Sequence, residues 1–372
     1  MLKTQQFKDL VDNVQNTKTD KELHWLSTSI ITPEFPQIIE ALHICSNLLL
    51  YNSPQHPDAK NRIERGPTIK LPVSSNKSEV LKGIVVRDGA YLTHLTVTLK
   101  EPHFNKVINR LNLKKPMLLP QIITSKKCID QAIATIEELS SIADDCSIIN
   151  HDKLIKSFKL LLNYIQTAKN SLQLPTDPNL VFPVNITPIN SFEPELIPTI
   201  TVDAYISQAE ICLDLKSLHK VTEKPWGEIE SSTGKSYIDK IRDEMKLPGK
   251  NSSSSSSPLS VQDIEKRLNE MTGSDQLQHT QEQQIGSSQA QVQPQATLFS
   301  SVMSHLSLRP RHDPLDYITK CITYNNMVVM VNKKIEVSSP DPVLVSAFTK
   351  LDSIEYLISS FLNNLDCLLD SI

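Results

Sequence analysis

Four long segments of this chain carry apolar residues at alternating intervals of three and four positions. They span residues 35–49, 122–146, 154–172 and 344–372. This spacing places the apolar side chains on one face of an α-helix, so each segment is predicted to be a helix with a narrow apolar stripe. Asp341 and Pro342 indicate where the last helix begins, because Asp caps helix N-termini and Pro fits the first helical position.

The four stripes need a surface to pack against, and two arrangements can supply one. They can pack against one another within the chain as an antiparallel helical bundle. They can also pair between chains, as in a dimeric zipper. Each stripe is short and three similar stripes lie in the same chain, which favours the bundle. Pairing between chains is the alternative.

Between these helices the pattern changes to the alternation and β-branched composition of strands. The predicted strands cover residues 81–87, 91–100, 199–205, 210–219 and 327–331. The first two flank Asp88-Gly89, a dipeptide typical of hairpin turns. The last one is an apolar run that would also fit a helix. Helices and strands do not alternate regularly, so the pattern predicts an α+β fold rather than a doubly wound sheet.

The periodic apolar pattern fails between Thr222 and His312. This stretch contains six consecutive serines at Ser252–Ser257 and is rich in glutamine. Such a composition cannot bury enough apolar surface to offset the loss of chain entropy on folding, which predicts a long disordered insertion. The predicted organisation is therefore a first folded segment, the insertion, and a final strand and helix that complete the same fold, over residues 1–221, 222–312 and 313–372.

One part of this insertion has helical spacing. Val261, Ile264, Leu268 and Met271 follow one another at intervals of three, four and three residues, and Ser260 can cap a helix that begins there. One interpretation is a transient helix without a partner. The other is a short docking motif that binds in a groove of another protein, and these four residues are then the predicted partner-binding site.

Charge and composition limit the classes of function. The chain has 38 basic and 42 acidic residues, and the two signs are interspersed. This argues against a nucleic-acid-binding protein, which needs a clustered basic face. The closest two cysteines are too far apart for a zinc-finger spacing. Four cysteines lie in apolar segments and are predicted to be buried, reduced thiols, namely Cys45, Cys212, Cys321 and Cys367.

The sequence also predicts a protein without membrane spans or catalytic motifs. No apolar run approaches the length of a bilayer span, and the first residues lack the features of a signal peptide, which predicts a cytosolic protein. Gly234–Ser236 lacks the first glycine of a P-loop, because Ile229 occupies that position. Asp144-Asp145 is interpreted as a solvated helix end, and Cys212 and His219 lie on opposite faces of their predicted strand. No cofactor or metal signature is present, so a non-enzymatic protein is predicted.

Three sequence blocks occur together in a characteristic order. They are ELHWL at 22–26, LKGIVVRDGA at 81–90 leading into LTVTLKEP at 95–102, and a region at 196–220 that contains ITVDAYI and CLDLKSLH. In block order and hydrophobic pattern the chain resembles the Rogdi leucine-zipper family over most of residues 20–221 and 315–370. The insertion departs from the shorter members of that family.

The resemblance implies an elongated protein with a helical-bundle part and a β-rich part. Fungal members of the family are subunits of the RAVE complex, which regulates the vacuolar proton ATPase. The resemblance therefore implies a non-enzymatic subunit that promotes assembly of this ATPase from its soluble and membrane sectors. The implied partners are a large β-propeller-bearing scaffold, a Skp-type adaptor and soluble-sector subunits. The implied location is the cytoplasm, with peripheral recruitment to the vacuolar or endosomal membrane.

Two other functions remain open at this point. A self-associating coiled-coil tether or adaptor in membrane traffic is the alternative, and it requires the apolar stripes to pair between chains. A small-molecule enzyme is a third hypothesis, although no motif in the sequence supports it.

Overall fold

The computed structural model describes residues 21–75, 79–144, 151–246 and 314–369. The chain divides into two compact units. The first comprises Met1–Ser217 and Lys333–Ile372, and the second comprises Leu218–Asn332. The final segment of the chain therefore returns to the unit in which the chain begins, and each unit is considered by itself below.

Six helices recur in the description that follows. They are α1 (Phe35–Tyr51), α2 (Pro120–Asp144), α3 (His151–Gln173), α4 (Tyr237–Lys246), α5 (Pro314–Lys320) and α6 (Pro342–Leu369). A π-helical turn at Leu26–Ile31 and a 3₁₀ turn at Thr32–Glu34 lead into α1. Single turns also occur at Pro102–Asn105, Pro178–Leu180 and Ile189–Ser191. The four long helices α1, α2, α3 and α6 are those that the apolar stripes predict, and all four belong to the first unit.

These four helices pack in a closed ring, in which α2 contacts α1 and α3, and α6 contacts α1 and α3. Their apolar stripes form one core, in which Leu42, Leu161 and Ile358 are fully buried. The rings of Phe35 and Phe158 lie 6.2 Å apart within it. Over their described residues, the stripes are therefore covered within the chain and not left for pairing with a second chain.

In the described part of the chain, ten strands form two sheets. They are β1 (Ile69–Ser74), β2 (Leu81–Asp88), β3 (Tyr91–Leu99), β4 (Arg110–Leu113), β5 (Met117–Leu118), β6 (Phe192–Glu193), β7 (Ile200–Ser207), β8 (Glu210–Lys220), β9 (Cys321–Tyr324) and β10 (Met327–Pro340). The first sheet has the order β1-β2-β3-β4-β6, with β5 paired to β3, and the second has the order β7-β8-β10-β9. Helices and strands are thus combined in an α+β fold, as predicted.

The predicted hairpin of the first sheet is confirmed. β2 and β3 are antiparallel, with Asp88 opposite Tyr91, and the register shifts by one residue between Val86 and Arg87. Gly89 in the turn has a φ of 57°. A β-carbon there would lie only 2.3 Å from the carbonyl oxygen of Leu50, so both the backbone conformation and the close approach require glycine.

The second strand pair is also confirmed, because β7 and β8 are antiparallel from Ile200 opposite Ser217 to Ser207 opposite Glu210. Gln208 and Ala209 connect them with φ angles of 52° and 58°. The apolar run at 327–331 forms the start of β10, so it is a strand rather than a helix. β10 extends well beyond this run to Pro340, because its later residues alternate between buried and exposed positions.

The second unit corrects the predicted start of the disordered insertion. Residues 222–246 are folded there and contain α4, whose Ile238 is buried against Tyr317 and Val328. The indole of Trp226 stacks on the ring of Tyr317 at 5.0 Å. Sequence periodicity missed this segment because α4 is short and its apolar face is covered by residues roughly 80 positions later. The rest of the predicted insertion, 247–312, lies outside the described residues.

The same unit corrects the assignment of the final segment. Of the predicted segment 313–372, the part up to Asn332 belongs to the second unit, together with 218–246, and only Lys333–Ile372 completes the first. The start of α4 explains the glycine-lysine-serine run noted above. Ser236 Oγ accepts a hydrogen bond from the backbone N–H of Asp239, whose carboxylate accepts one from the N–H of Ser236. This reciprocal pair is a capping box, so the run begins a helix.

Candidate functional site

Five of the residues that the sequence singled out have no described position. Val261, Ile264, Leu268 and Met271 lie outside the described residues, as does Asp145. Burial raises the pKa of the Cys212 thiol to about 11, and that of Cys45 to about 12, so both are protonated at neutral pH. A thiol needs its thiolate form to act as a nucleophile or a metal ligand, so these two are unsuited to either role.

The other cysteine predictions are confirmed in part. Cys45, Cys212 and Cys321 are buried thiols, whereas Cys367 is exposed, which corrects the prediction for that residue. Its place in an apolar segment suggested burial, but it lies beside the apolar stripe of α6 and near the end of that helix. Within the described ranges, no cluster of His, Cys, Asp and Glu side chains could hold a metal ion.

A buried network of charged side chains lies on β7 and β8 of the first unit. Lys216 Nζ lies 2.7 Å from Asp214 Oδ2 and 3.1 Å from Asp203 Oδ2. Asp203 also accepts hydrogen bonds from the backbone N–H of Phe182 and the side-chain amide of Asn185. The ammonium of Lys216 lies over the Phe182 ring at 5.1 Å. These contacts fix the segment between α3 and β6 against the sheet.

The network continues onto β10. Lys334 lies 2.7 Å from Glu336 and 3.4 Å from Asp214, and the Tyr205 hydroxyl donates to Glu336 at 3.0 Å. The bond from Lys334 holds the pKa of Glu336 below its ordinary value, and burial raises the pKa of Tyr205. Each of these charged groups is paired with a neighbour in the fold, although Asp214 Oδ1 has no hydrogen-bond partner among the described residues, so the arrangement acts as a structural clamp.

A second buried ion pair joins the helices to the first sheet. Arg87 of β2 donates to Asp341 from Nε at 2.6 Å and from Nη2 at 3.1 Å, and both side chains are fully buried. Arg87 Nη1 also donates to Asn52 Oδ1 and to the Gly89 carbonyl oxygen. Asn52 is the C-cap of α1 and Asp341 is the N-cap of α6. One guanidinium group thus connects the ends of two core helices.

A cleft of about 500 Å³ lies between one corner of the first sheet and β10. Its walls include Ser74, Val80 and Glu101 on one side and Lys333–Ser338 on the other. Two of the charged groups in its wall, Lys334 and Glu336, are bonded to each other. The rest of the described lining combines charged Glu101 and Lys333, apolar Val80, Ile335 and Val337, and the hydroxyl groups of Ser74, Ser75 and Ser338.

Within the described part of the chain, the first sheet also has an exposed face, which we call the outer face. Its side chains project away from the core from strands β1 to β5, because the alternate side chains of these strands are buried. The pairing registers arrange these side chains in four rows across the strands. The rows are Asp88–Tyr91–Leu118, Lys70–Val86–His94, Pro72–Ile84–Thr96–Asn112, which continues to Glu193 on β6, and Ser74–Lys82–Thr98–Arg110.

Over its described residues, the fold defines an α+β protein that buries its own heptad helices and leaves one sheet face exposed. No described helix is both long and apolar enough to cross a membrane. The profile of the Rogdi leucine zipper containing proteins matches residues 22–366, so this chain belongs to that family.

One relative of known name is "Regulator of V-ATPase in vacuolar membrane protein 2" of Saccharomyces cerevisiae. It is 26% identical to this chain over 375 residues, which cover 96% of this chain and 93% of the relative. The similarity therefore extends through both units and is not confined to the helical stripes.

Proposed function

We propose that this protein is a non-enzymatic subunit of a complex that promotes assembly of the vacuolar proton ATPase from its soluble and membrane sectors. The observation that supports this most directly is the similarity to the yeast V-ATPase regulator along nearly the whole length of both proteins. Membership of the Rogdi family is consistent with it. The buried charged groups also support a binding function, because they form ion pairs with one another within the chain and hold the fold together.

The mechanism that we propose is positioning. A subunit that holds the detached soluble sector near its docking site raises the effective concentration of one sector at the other, and so favours association without any covalent step. The partners in this proposal are a large β-propeller-bearing scaffold, a Skp-type adaptor and soluble-sector subunits. The protein would act in the cytoplasm and be recruited peripherally to the vacuolar or endosomal membrane.

The test is the fraction of the soluble sector that is bound to membranes in cells that lack this chain. We expect ATPase subunits at normal abundance, a reduced membrane-bound fraction and a raised vacuolar pH, because an assembly factor changes association and not synthesis. Tagged protein should recover soluble-sector subunits. An unchanged membrane-bound fraction, with no ATPase subunit recovered, would contradict the proposal.

The predicted docking motif gives a second experiment on the same proposal. Replacing Leu268 and Met271 by Ser removes two apolar positions of the predicted helix, and a matched variant replaces Ser274 and Gln276 by Ala in the same insertion. If the motif binds a partner of the complex, the first variant should lose that partner while the second retains it. Equal recovery of all partners by both variants would exclude the motif as a docking site.

A further inference from the structure

The outer face of the first sheet combines large apolar side chains with an excess of positive charge. Ile84, Tyr91 and Leu118 are 51%, 48% and 44% exposed. Tyr91 and Leu118 are directly opposite each other on paired strands, and Ile84 lies two rows away between Pro72 and Thr96. Exposed apolar side chains gathered on one face, with polar groups around them, are typical of protein-binding surfaces.

The polar part of this face is ordered before any partner binds. The hydroxyl of Thr96 lies 3.0 Å from His94 Nε2 and donates to Asn112 Oδ1 at 3.0 Å. These three residues belong to adjacent rows and strands, so their side chains are held in one arrangement across the sheet. Rigid positioning of this kind lowers the entropy that a contact loses on binding.

The charge of the face differs from that of the whole chain. The chain has four more acidic than basic residues. The outer face carries the cations Lys70, Lys82 and Arg110 and two carboxylates. Asp88 is paired with Arg65 at 2.8 Å, and Glu193 lies opposite Asn112 on β6, at the edge of the sheet. Lys82 is paired with Glu79. Lys70 and Arg110 are exposed, and neither takes part in an ion pair within the described part of the chain.

Lys70 and Arg110 are too far apart to bind a single small anion. Arg110 lies three strands from Lys70 across the sheet and four residues from it along the strand direction, which corresponds to roughly 20 Å at ordinary strand dimensions. This separation exceeds the screening length of about 8 Å at physiological salt, so each cation attracts its own negative group. A partner that satisfies both must present carboxylates across a wide surface.

We propose that the outer face is the docking surface for an acidic face of a folded protein partner. Carboxylates of the partner would lie opposite Lys70 and Arg110, and apolar side chains of the partner would cover Ile84 and Tyr91. Binding to anionic lipid is less well supported, because it usually requires clusters of four to eight basic residues. This surface extends the proposed function but is argued from the geometry of the sheet alone.

The dimensions of the face predict a transient contact. Four strands at about 4.8 Å spacing and about 26 Å of strand length give roughly 500 Å², about 60% of the roughly 800 Å² that each partner buries in a stable complex of standard size. A limited, charge-dependent contact of this size dissociates readily and weakens as salt increases.

The test is photocrosslinking in cells, with a benzoylphenylalanine residue in place of Ile84 in the full chain. The matched position is Leu160 on α3, which is exposed to a similar degree at 45%. We expect adducts at position 84, but not at 160, with an acidic segment of one protein. Adding Lys70→Glu and Arg110→Glu should reduce the yield of that adduct at least about tenfold, because attraction becomes repulsion at both positions.

The control for charge is the double variant Lys127→Glu with Lys156→Glu. These two exposed lysines lie on α2 and α3, and the double variant changes the net charge by the same amount. It should retain the adduct. All variants should melt at the wild-type temperature, because the changed side chains are exposed. Equal loss of the adduct in both double variants would overturn the proposal, since the effect would then be one of net charge.

Three other outcomes would also overturn it. They are the absence of a protein adduct at position 84, an adduct with a basic segment, and an adduct whose yield the charge reversal leaves unchanged. Vesicles of phosphatidylcholine with 30% phosphatidylserine test the lipid alternative. Co-sedimentation that Lys70→Glu with Arg110→Glu abolishes, without any protein adduct, would assign the face to a membrane.

The outcomes separate this surface from the proposed function. An adduct with an acidic protein unrelated to the ATPase would support the surface and count against the assembly function. Loss of ATPase assembly in cells without the chain, together with no adduct at position 84, would support the function and overturn the surface.

Discussion

Removing the carboxylate of Asp341 should destabilise the first unit more than removing any exposed charge. Asp341 accepts two hydrogen bonds from Arg87, and its Oδ1 also accepts from the backbone N–H groups of Val343 and Leu344 at 2.9 and 3.0 Å. It therefore performs two functions at once, as the counter-ion of a buried guanidinium and as the N-cap of α6. Two substitutions separate these functions.

Asp341→Ser retains a side-chain oxygen for the cap but removes the ion pair. Breaking a buried pair by removing one partner costs about 3–5 kcal/mol. Arg87 retains its bonds to Asn52 Oδ1 and the Gly89 carbonyl, so we expect the lower end, about 3 kcal/mol. Asp341→Ala also removes the cap and should cost about 1 kcal/mol more. The difference between the two variants measures the cap alone.

The measurement is urea unfolding followed by the helical circular dichroism signal. With a slope of about 3 kcal/mol/M, Asp341→Ser should lower the midpoint by about 1 M. The control is Asp352→Ala, which breaks an ion pair with Lys169 in which the carboxylate is 61% exposed. Exposed pairs contribute about 0–1 kcal/mol, so its midpoint should shift by at most about 0.3 M. Equal unfolding midpoints for Asp341→Ser and Asp352→Ala would refute the reasoning.

A double-mutant cycle tests the same pair in another way. Arg87→Met removes the guanidinium and leaves Asp341 buried without its counter-ion, so it should also be strongly destabilising. In the combination of Arg87→Met with Asp341→Ser no charge remains buried and unpaired. The double variant should therefore be less destabilised than the sum of the two single variants. Simple additivity would show that the two side chains do not interact energetically.

Three further predictions follow from other parts of the fold. Phe361→Ala should cost about 3–5 kcal/mol, and Ile358→Asp more, because both side chains lie in the helical core; wild-type melting of Ile358→Asp would contradict this. Replacing residues 248–312 by a short flexible linker should leave both units folded, since the entropy of loop closure changes only logarithmically with loop length. Loss of soluble protein would show that this segment packs against the fold. Burial alone would raise the pKa of Asp239, but hydrogen bonds from Thr323 and Ser236 hold this pKa below its ordinary value of 3.8. The ionised Asp239 therefore stabilises the fold at pH values above 3.8, and this stabilisation is lost as the pH falls through the lower pKa of the folded state. Asp239→Asn should remove this part of the acid dependence, measured by thermal melting between pH 2 and 6.

The sequence alone determined the features that depend on neighbours within one or two turns of chain. The four stripes located α1, α2, α3 and α6 because a helix repeats every 3.6 residues, and β-branched alternation with Asp88-Gly89 located the hairpin. The capping role of Asp341 was also readable, because a cap contacts N–H groups two and three residues further along the chain.

Only the tertiary structure decided what these elements pack against. Arg87 and Asp341 are 254 positions apart, and nothing local marks them as partners. The outer face emerges only when the registers of β1 to β5 place residues from four separate segments in common rows. α4 escaped the sequence pattern because its few apolar residues are covered by α5 and β10 across a long intervening segment. Local periodicity reports which face of an element is apolar, but the choice of which faces meet depends on contacts that lie far apart in the chain.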